Sequence, residues 1–415
     1  MTRYHQFREC LLTCGREAPR AARLSSRLPD FVGSQADVEG ALRGLRVAQV
    51  GTGSIGMRVA EDFARLRVAE LWLVDPRRAC KPESVLTHPI SRVIDLPKVT
   101  YIARRCKKIS PSTRVFTHVG LAQDLWPDTF ADVHLCIMAT DNLPAEAYFG
   151  SHCLALGKRL VQAAVHGETL TVQVRVFGNA DGSGPCPACG FGAAEWQLLN
   201  DQVQFSCEGG TAGQATPRIT GPPTRSTSHL CSLAADLAIN QALRLVLRLG
   251  DPVEDTVLEY CGFTNRTVVS RLERNPGCRC SHTRYSLLRA PVPLKGYSYN
   301  KLLKDFAAPA QEGALTLAVG GAEWIERGIC RCAEPGVVQR FIPLGQGYAG
   351  RCARCRSSIR PQPFYTHRTV SASMLGKAAT TPLSMLGVRQ CPWVLLRNQG
   401  QAFLVQDPRR AMPMR

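Results

Sequence analysis

The amino-acid sequence predicts an α/β fold built on a doubly wound, mostly parallel sheet. From residue 45 onward, short apolar runs alternate with segments whose apolar residues recur at helical spacing. This alternation is typical of parallel strands joined by crossover helices. A glycine-rich turn follows the first apolar run and opens a helix, with Gly51, Gly53 and Gly56 in G-x-G-x-x-G spacing. The two observations together predict an open sheet with helices on both faces.

The remaining elements of the predicted domain follow in chain order. Strands are expected at residues 46–50, 71–74, 114–119, 133–139 and 159–165, and helices at 56–66 and 98–109. Alternation of apolar and polar residues over 169–177 predicts one more strand, which we expect to be antiparallel. The apolar run 230–249 predicts a long helix that ends at Gly250.

A chain of 415 residues is long enough for two or three compact units. Residues 1–44 lack strong periodicity and are interpreted as an N-terminal arm with one short helix. Residues 45–289 form the predicted α/β domain, and residues 290–415 form a small appended domain with its own cysteines. Glycine and proline in 209–223 exclude a packed element, so we expect a crossing loop over about 207–227.

Composition and charge narrow the class of protein. No apolar run approaches the roughly 20 residues that cross a bilayer, so the sequence predicts a soluble, cytoplasmic protein without membrane contact. Lys and Arg total 51 against 33 Asp and Glu, which gives a net charge of +18. Such an excess suits nucleotide phosphates, an acidic protein or nucleic acid. Nucleic acid is not favoured, because like charges do not occur in long blocks.

Many of the 18 cysteines occur in close pairs, a spacing that suits tetrahedral zinc better than a disulfide framework. The first predicted set of zinc ligands is Cys186, Cys189, Cys278 and Cys280, with His282 as a spare candidate. The second is Cys330, Cys332, Cys352 and Cys355. We expect the first zinc to be structural and the second to form a zinc knuckle in the C-terminal domain. Cys231, Cys261 and Cys391 fit neither set and are expected to pack.

The glycine turn and three later residues predict a nucleotide site. Asp75 ends the second predicted strand, where a carboxylate can accept hydrogen bonds from ribose hydroxyls. Lys98 opens a helix and can reach phosphates. Asp141 follows the apolar run LCIMAT, at a strand end where a carboxylate can hold Mg²⁺. The glycine turn and Asp75 alone permit an NAD(P)-dependent oxidoreductase, whereas Lys98, Asp141 and the cysteine pairs favour ATP.

The order of the glycine turn, LVD, PKV…ISP, TDN, CPAC and NPGC resembles one family of adenylyltransferases. That family includes ubiquitin-activating enzymes and the sulfur-carrier activators of thiamin and molybdopterin biosynthesis, and the resemblance covers about residues 45–285. It implies a Rossmann-like adenylation domain that binds MgATP and the C-terminal glycine tail of a ubiquitin-like protein. The tail carboxylate then attacks the α-phosphorus and gives an acyl-adenylate and pyrophosphate.

The resemblance also implies roles for single residues. The three glycines line the nucleotide site, Asp75 takes the ribose, Lys98 the phosphates and Asp141 the metal. Cys207 stands where the sulfur-carrier branch often has a reactive cysteine, which would take the acyl group as a thioester. A homodimer and a downstream conjugating enzyme are the expected partners.

The sequence departs from the family at three places. Arg77 stands where a second aspartate is usual, and Glu146 stands where an arginine is usual. The stretch that usually carries an asparagine and an arginine is SVLTHPISR, in which Arg92 is the candidate for the missing cation. Two alternatives therefore stay open besides a ubiquitin-like partner. One is adenylation of a ribosomal peptide or small substrate, and the other is a non-catalytic subunit of an activating enzyme.

Overall fold

The computed structural model divides the chain into two compact units, with the division between His282 and Thr283. This division falls before the domain boundary that the sequence predicts at residues 289 and 290. The structure describes residues 8–9, 35–78, 96–122, 125, 129–178, 183–200, 226–251, 253–307, 315–320, 323–329, 338–343, 352, 354–357, 359–361, 366–397 and 400–408.

One sheet organises the first unit. Its strands are β1 (Arg8–Glu9), β2 (Arg46–Val50), β3 (Glu70–Val74), β4 (Arg114–His118), β5 (Leu135–Met138), β6 (Arg159–His166), β7 (Thr171–Phe177), β8 (Thr256–Cys261) and β9 (Arg266–Arg271). Across the described residues they lie in the order β1-β4-β3-β2-β5-β6-β7-β8-β9. Strands β4, β3, β2, β5 and β6 are parallel, and β7, β8 and β9 continue the sheet antiparallel. The predicted doubly wound sheet and the antiparallel β7 are therefore confirmed.

Helices cover both faces of this sheet. They are α1 (Gln35–Arg43), α2 (Ser54–Arg65), α3 (Lys98–Ile109), α4 (Leu143–Ala155), α5 (Ala193–Asn200) and α6 (Ser228–Leu247). Leu135 and Ile137 share a buried core with residues of α2, α3 and α6. Cys136, between them on β5, points to the opposite face, where its thiol meets Cys153 of α4.

Helix α1 belongs to the core of the first unit. Val38 and Leu42 are buried in the same cluster as the apolar residues of α2 and α3. The sequence interpretation placed this helix in an N-terminal arm, because a helix of one or two turns has too few apolar positions to reveal its partner. Its packing shows that the compact unit begins before residue 45.

Helix α6 is the one described helix that is long and apolar enough to suit a membrane span. Ala238, Ala242 and Leu245 are buried against the sheet and α2. This packing accounts for the apolar composition of the helix, as in the core helices of globular proteins. The helix ends at Leu247, before the predicted end at 249, because Arg248 adopts a left-handed conformation with φ 55°.

The second unit has its own hydrophobic core. Its strands are β10 (Tyr285–Arg289), β11 (Thr316–Val319), β12 (Trp324–Ile329), β13 (Val338–Pro343), β14 (Arg360–Pro361), β15 (Thr366–His367), β16 (Val370–Ser371), β17 (Trp393–Arg397) and β18 (Ala402–Gln406), with short helices α7 (Tyr299–Leu302) and α8 (Ala372–Leu375). One sheet has the order β10-β18-β17-β11-β16, and a smaller one joins β13, β12, β14 and β15. Trp324, Tyr297 and Tyr299 are fully buried. The unit is therefore larger than a zinc knuckle alone.

The turn between β2 and α2 is held by close backbone contacts. Gly51 has φ +91°, and a Cβ there would lie 2.3 Å from the Ala139 carbonyl oxygen. A Cβ at Gly56 would lie 2.1 Å from the carbonyl oxygen of Gly51. The buried Gln49 amide donates to the carbonyl oxygens of Gly51, at 2.9 Å, and Gly56, at 2.6 Å. Only glycine fits at positions 51 and 56.

The glycine contacts predict unequal effects of substitution within one motif. Gly56→Ala should lower the free energy of unfolding by about 1–3 kcal/mol or more, because the added methyl group meets backbone that cannot move aside. Gly53→Ala is the matched control, since nothing lies within 4 Å of a Cβ at that position. Denaturant unfolding of the two variants measures the difference, and equal stabilities would contradict the packing described here.

Candidate nucleotide and metal sites

The candidate nucleotide site lies at the carboxyl ends of β3, β2 and β5, which are neighbours in the sheet. The glycine turn follows β2, Asp75 follows β3, and Asp141 follows β5 within three residues. The chain winds outward in opposite directions from β2 and β5. Ligands of open α/β sheets bind at such a reversal point, beyond the carboxyl ends of the strands.

Asp75 is buried and anchors the glycine turn. One carboxylate oxygen accepts hydrogen bonds from the Thr52 backbone N–H, at 2.8 Å, and from the Thr52 hydroxyl, at 3.0 Å. The other oxygen accepts from the backbone N–H of Arg77, at 2.8 Å. A carboxylate has about four acceptor positions, so these three bonds leave capacity for one more donor such as a ribose hydroxyl.

Arg77 contacts both Lys98 and Asp141. Its carbonyl oxygen accepts a hydrogen bond from the backbone N–H of Lys98, at 3.0 Å. Its guanidinium Nη2 lies 3.6 Å from Oδ1 of Asp141. Lys98 is only 4% exposed, which differs from an ordinary solvated lysine at the start of a helix. The glycine turn, Asp75, Lys98 and Asp141 are therefore connected through the residues around Arg77.

The local surroundings suit an anionic nucleotide. Gly53 precedes the first residue of α2 and has open space where a side chain would be. The N-terminus of a helix presents backbone N–H groups and a partial positive charge, and both favour phosphate. Asp141 is partly exposed, with 24% of its side-chain surface accessible. One carboxylate together with phosphate oxygens is a usual way of holding Mg²⁺.

Glu146, at the position of the family arginine, is buried in the first turns of α4. Gln162 on β6 donates a hydrogen bond to its carboxyl group at 2.9 Å. Burial raises the pKa of Glu146 to about 7, while the bond from Gln162 and the charge of Arg175 oppose the shift. Nearby, the Asn142 side chain caps α4 by accepting from the backbone N–H of Ala145. This position therefore brings no cation to the site.

Four predicted site residues, Arg92, Cys207, Cys330 and Cys332, lie outside the described residues.

Among the cysteines that fit neither predicted zinc set, Cys231 and Cys391 are buried, as packing residues should be. Cys261 is only half-buried. Hydrogen bonds to Thr264 and Phe263 lower the pKa of its thiol.

The candidate metal centre consists of three cysteines and a histidine in the first unit. The ligand atoms of Cys186, Cys189, Cys278 and His282 all lie within 4.8 Å of one another. Cys186 comes just before a 3-10 turn and Cys189 lies within it, while Cys278 and His282 follow β9. The structure thus includes the spare candidate His282 in this group. Cys280 is not one of these four but lies beside them, because its thiol contacts the Cys186 thiol and its sulfur is 4.0 Å from the carbonyl oxygen of Ala147.

Four of the six distances between ligand atoms in this cluster match a tetrahedral zinc site, and the other two are within 4.8 Å. Zn–S bonds of about 2.3 Å and Zn–N bonds of about 2.0 Å put sulfurs about 3.8 Å apart and sulfur and nitrogen about 3.5 Å apart. The Cys186 sulfur lies 3.9 Å from that of Cys189 and 3.8 Å from that of Cys278. Nε2 of His282 lies 3.6 Å from the Cys186 sulfur and 3.5 Å from the Cys189 sulfur.

His282 is also oriented as a metal ligand. Its Nδ1 lies 3.1 Å from the carbonyl oxygen of Gly184, a contact that favours a proton on Nδ1 and a lone pair on Nε2. Burial lowers the pKa of His282, so the ring is neutral at pH 7. Burial raises the pKa of Cys278, and the adjacent Cys186 thiol together with burial raises that of Cys189. Metal binding would therefore release protons from these thiols.

Cys352 and Cys355 lie in a tight turn of the second unit. Cys352 donates its backbone N–H to the carbonyl oxygen of Ser357, at 3.0 Å, and accepts from the N–H of Arg356, at 2.9 Å. Arg356 has a φ of 55°, which lets the chain reverse directly after the second cysteine. The turn thus brings the two cysteines of the C-x-x-C pair to one end of a loop.

Some site residues lie in no sequence pattern from which their role could be predicted. Gln49 makes two hydrogen bonds to backbone carbonyl oxygens, and Thr52 makes two to Asp75. Polar residues of this kind occur at many strand ends. His282 was visible as a spare ligand, because it lies two residues beyond the last paired cysteine. The turn of the chain after β9 places His282 in the group of ligand atoms. Spacing in the sequence does not determine this turn.

A model of the ThiF family matches residues 27–280, more than half of the chain. No curated protein sequence matches it. Among solved structures, E. coli MccB with ATP is 13% identical, with 59% of this chain and 68% of that chain covered and a TM-score of 0.45. Microcin C7 biosynthetic enzyme MccB with N-formylated MccA is 14% identical, with 59% and 69% covered and a TM-score of 0.44. PaaA is 15% identical, with 59% and 69% covered and a TM-score of 0.42. The family match, over the residues that form the nucleotide site and most of the cysteine cluster, shows that this chain belongs to the ThiF family.

Proposed function

We propose that this protein uses MgATP to adenylate the C-terminal carboxylate of a ubiquitin-like protein or a peptide that ends in glycine. The observation that carries the proposal is the link through Arg77 between Asp75, the buried Lys98 and Asp141. A dehydrogenase needs the glycine turn and the ribose carboxylate, but it has no use for a buried lysine and a metal carboxylate beside them. Membership of the ThiF family supports the same reaction class.

The proposed roles follow from the charges of the reactants. A carboxylate oxygen attacks the α-phosphorus of ATP, the bond from that phosphorus to the bridging oxygen breaks, and pyrophosphate leaves with the electron pair. Both reactants are anionic, so the site must neutralise charge and hold the two groups in line. Lys98 would contact the phosphates, Asp141 would hold Mg²⁺, and Asp75 would bind the ribose while it holds the glycine turn.

We further propose that the protein acts as a homodimer. The family usually completes its sites across an interface, and Glu146 here replaces one of the expected arginines. A conjugating enzyme is the partner expected after a ubiquitin-like protein, whereas a peptide substrate needs none. A non-catalytic subunit is the competing proposal, and the first prediction below separates it from an active enzyme.

The adenylation proposal predicts ATP–pyrophosphate exchange that depends on the carboxylate partner, because exchange requires a reversible acyl-adenylate. Lys98→Ala and Asp141→Ala should each lower the exchange rate by at least about 100-fold, since each removes charge that the transition state needs. Lys108→Ala is the control, because Lys108 lies on the same helix and is exposed. The measurement is incorporation of labelled pyrophosphate into ATP.

Three results, from this experiment and from an assay with a nicotinamide cofactor, would contradict the proposal. Exchange that is unchanged in both variants would remove the assigned roles of Lys98 and Asp141. Turnover of a nicotinamide cofactor without ATP would instead identify an oxidoreductase. Absence of exchange by the wild-type chain with every glycine-ended partner, despite ATP binding, would favour the non-catalytic subunit.

We also propose two structural zinc ions per chain. The first would be held by Cys186, Cys189, Cys278 and His282, and the second by the predicted set of Cys330, Cys332, Cys352 and Cys355. His282→Ala should lose about one zinc per chain and unfold more readily, because the first cluster then lacks its nitrogen ligand. Cys280→Ser is the matched control, and it should retain the metal. Cys352→Ser combined with Cys355→Ser should lose the second zinc alone. Elemental analysis of the purified variants measures this, and metal loss from Cys280→Ser with none from His282→Ala would reverse the ligand assignment.

A thioester on Cys207 is the last part of the proposal, and it rests on the family resemblance. An acyl-adenylate is reactive enough to be attacked by a thiol of ordinary nucleophilicity. Cys207→Ala should therefore abolish a partner adduct that is seen without reductant, while adenylation continues. Cys261→Ala is the control, because the lowered pKa of that half-buried thiol makes it the competing nucleophile. An adduct that persists in Cys207→Ala and disappears in Cys261→Ala would move the role to Cys261.

A further inference from the structure

We propose that Arg77 is a phosphate-binding residue of the nucleotide site and that its guanidinium holds Asp141 until MgATP arrives. The inference rests on the proposed function, because it assigns a role within the same site. It goes beyond that function by naming a cation at a position where the family usually has an acid.

The main chain of Arg77 determines where its side chain starts. Its N–H donates to Asp75 at 2.8 Å, and its carbonyl oxygen accepts from the Lys98 N–H at 3.0 Å. The Cα of Arg77 therefore lies between the proposed ribose carboxylate and the proposed phosphate lysine. A side chain that leaves the backbone there starts between a ribose on Asp75 and a phosphate on Lys98.

The side chain itself reaches toward the proposed metal carboxylate. Its Nη2 lies 3.6 Å from Oδ1 of Asp141, and the two side chains are 31% and 24% exposed. An ion pair with this exposure contributes little to stability, so the fold does not depend on it. Arginine is the side chain best suited to bind phosphate oxygens in pairs. Access from solvent leaves the guanidinium able to exchange the carboxylate for a phosphate.

The local charge balance supports the same role. The site lacks a cation at position 146, where the buried Glu146 replaces the family arginine. At position 77 a cation replaces an acid. The changes of charge at positions 146 and 77 relative to the family therefore have opposite signs. Before nucleotide binds, Arg77 neutralises Asp141. With MgATP bound, Asp141 would hold the Mg²⁺ and the guanidinium would pair with the phosphates.

The test is equilibrium binding of ATP to the full chain, measured with Mg²⁺ and again with a chelator. Arg77→Ala should weaken MgATP binding roughly tenfold or more, because a charge-assisted hydrogen bond is lost. Arg77→Lys should bind within a few-fold of wild type, since it keeps a point charge. The control is Arg78→Ala, which removes an exposed arginine from the next position and should leave binding unchanged. The main-chain bonds of position 77 are available to any of these residues.

A second variant separates binding from folding. Asp141→Asn removes the carboxylate that holds Arg77, so ATP binding without Mg²⁺ should be at least as tight as in wild type. Adding Arg77→Ala to Asp141→Asn should then weaken Mg²⁺-free binding roughly tenfold. If wild type binds ATP and Arg77→Ala binds it as tightly as Arg78→Ala does, the inference is overturned while the proposed function stands. A wild-type chain that binds no ATP would overturn the proposed function itself.

Discussion

The hydrogen bonds of the Asp75 carboxylate join the two loops that form the candidate nucleotide site. They join the glycine turn, through Thr52, to the chain that leaves β3, through the N–H of Arg77. These donors compensate the charge of the buried carboxylate for the water that it loses. Without them, burial of the carboxylate would cost a large desolvation free energy. The positions of Gly53, Lys98 and the Arg77 guanidinium all depend on this group. Asp75 is therefore a structural residue of the site as well as a candidate ribose ligand.

Local spacing was sufficient to predict much of the first unit. The strands β2 to β7 and the helices α2, α3 and α6 lie near the predicted places, since a buried parallel strand and an amphipathic helix each leave a pattern within about ten residues. Helix α4 was not predicted. The glycines were identifiable because G-x-G-x-x-G after a strand has a physical cause, confirmed at Gly51 and Gly56 by the atoms that a Cβ would meet. Asp75 and Asp141 were predicted from the same principle, because strand ends meet at one edge of the sheet.

Long-range features were beyond this kind of reasoning. The position of His282 beside Cys186 and Cys189 depends on the path of the chain after β9. The contact of Arg77 with Asp141 likewise joins residues far apart in sequence. The core of the second unit was not predicted, because its short strands pair with strands that are distant in the sequence. Strand β10, for example, pairs with β18. The paired cysteines of that unit predict zinc, but their spacing carries no information about the buried Trp324 and Tyr299.

The contact between Gly51 and Ala139 has a mechanical consequence. The backbone at Gly51 passes so close to the Ala139 carbonyl group that no methyl group fits between them, and the Ala139 N–H donates to Val50 at 2.9 Å. Asp141 follows only two residues later, so this contact fixes the spacing between the glycine turn and the backbone that carries the Asp141 carboxylate. In the proposed reaction, the distance from a phosphate at the turn to a metal on Asp141 would therefore be set by the sheet and not by the ligand. Motion that brings the second reactant to the nucleotide would then occur in segments outside this backbone contact.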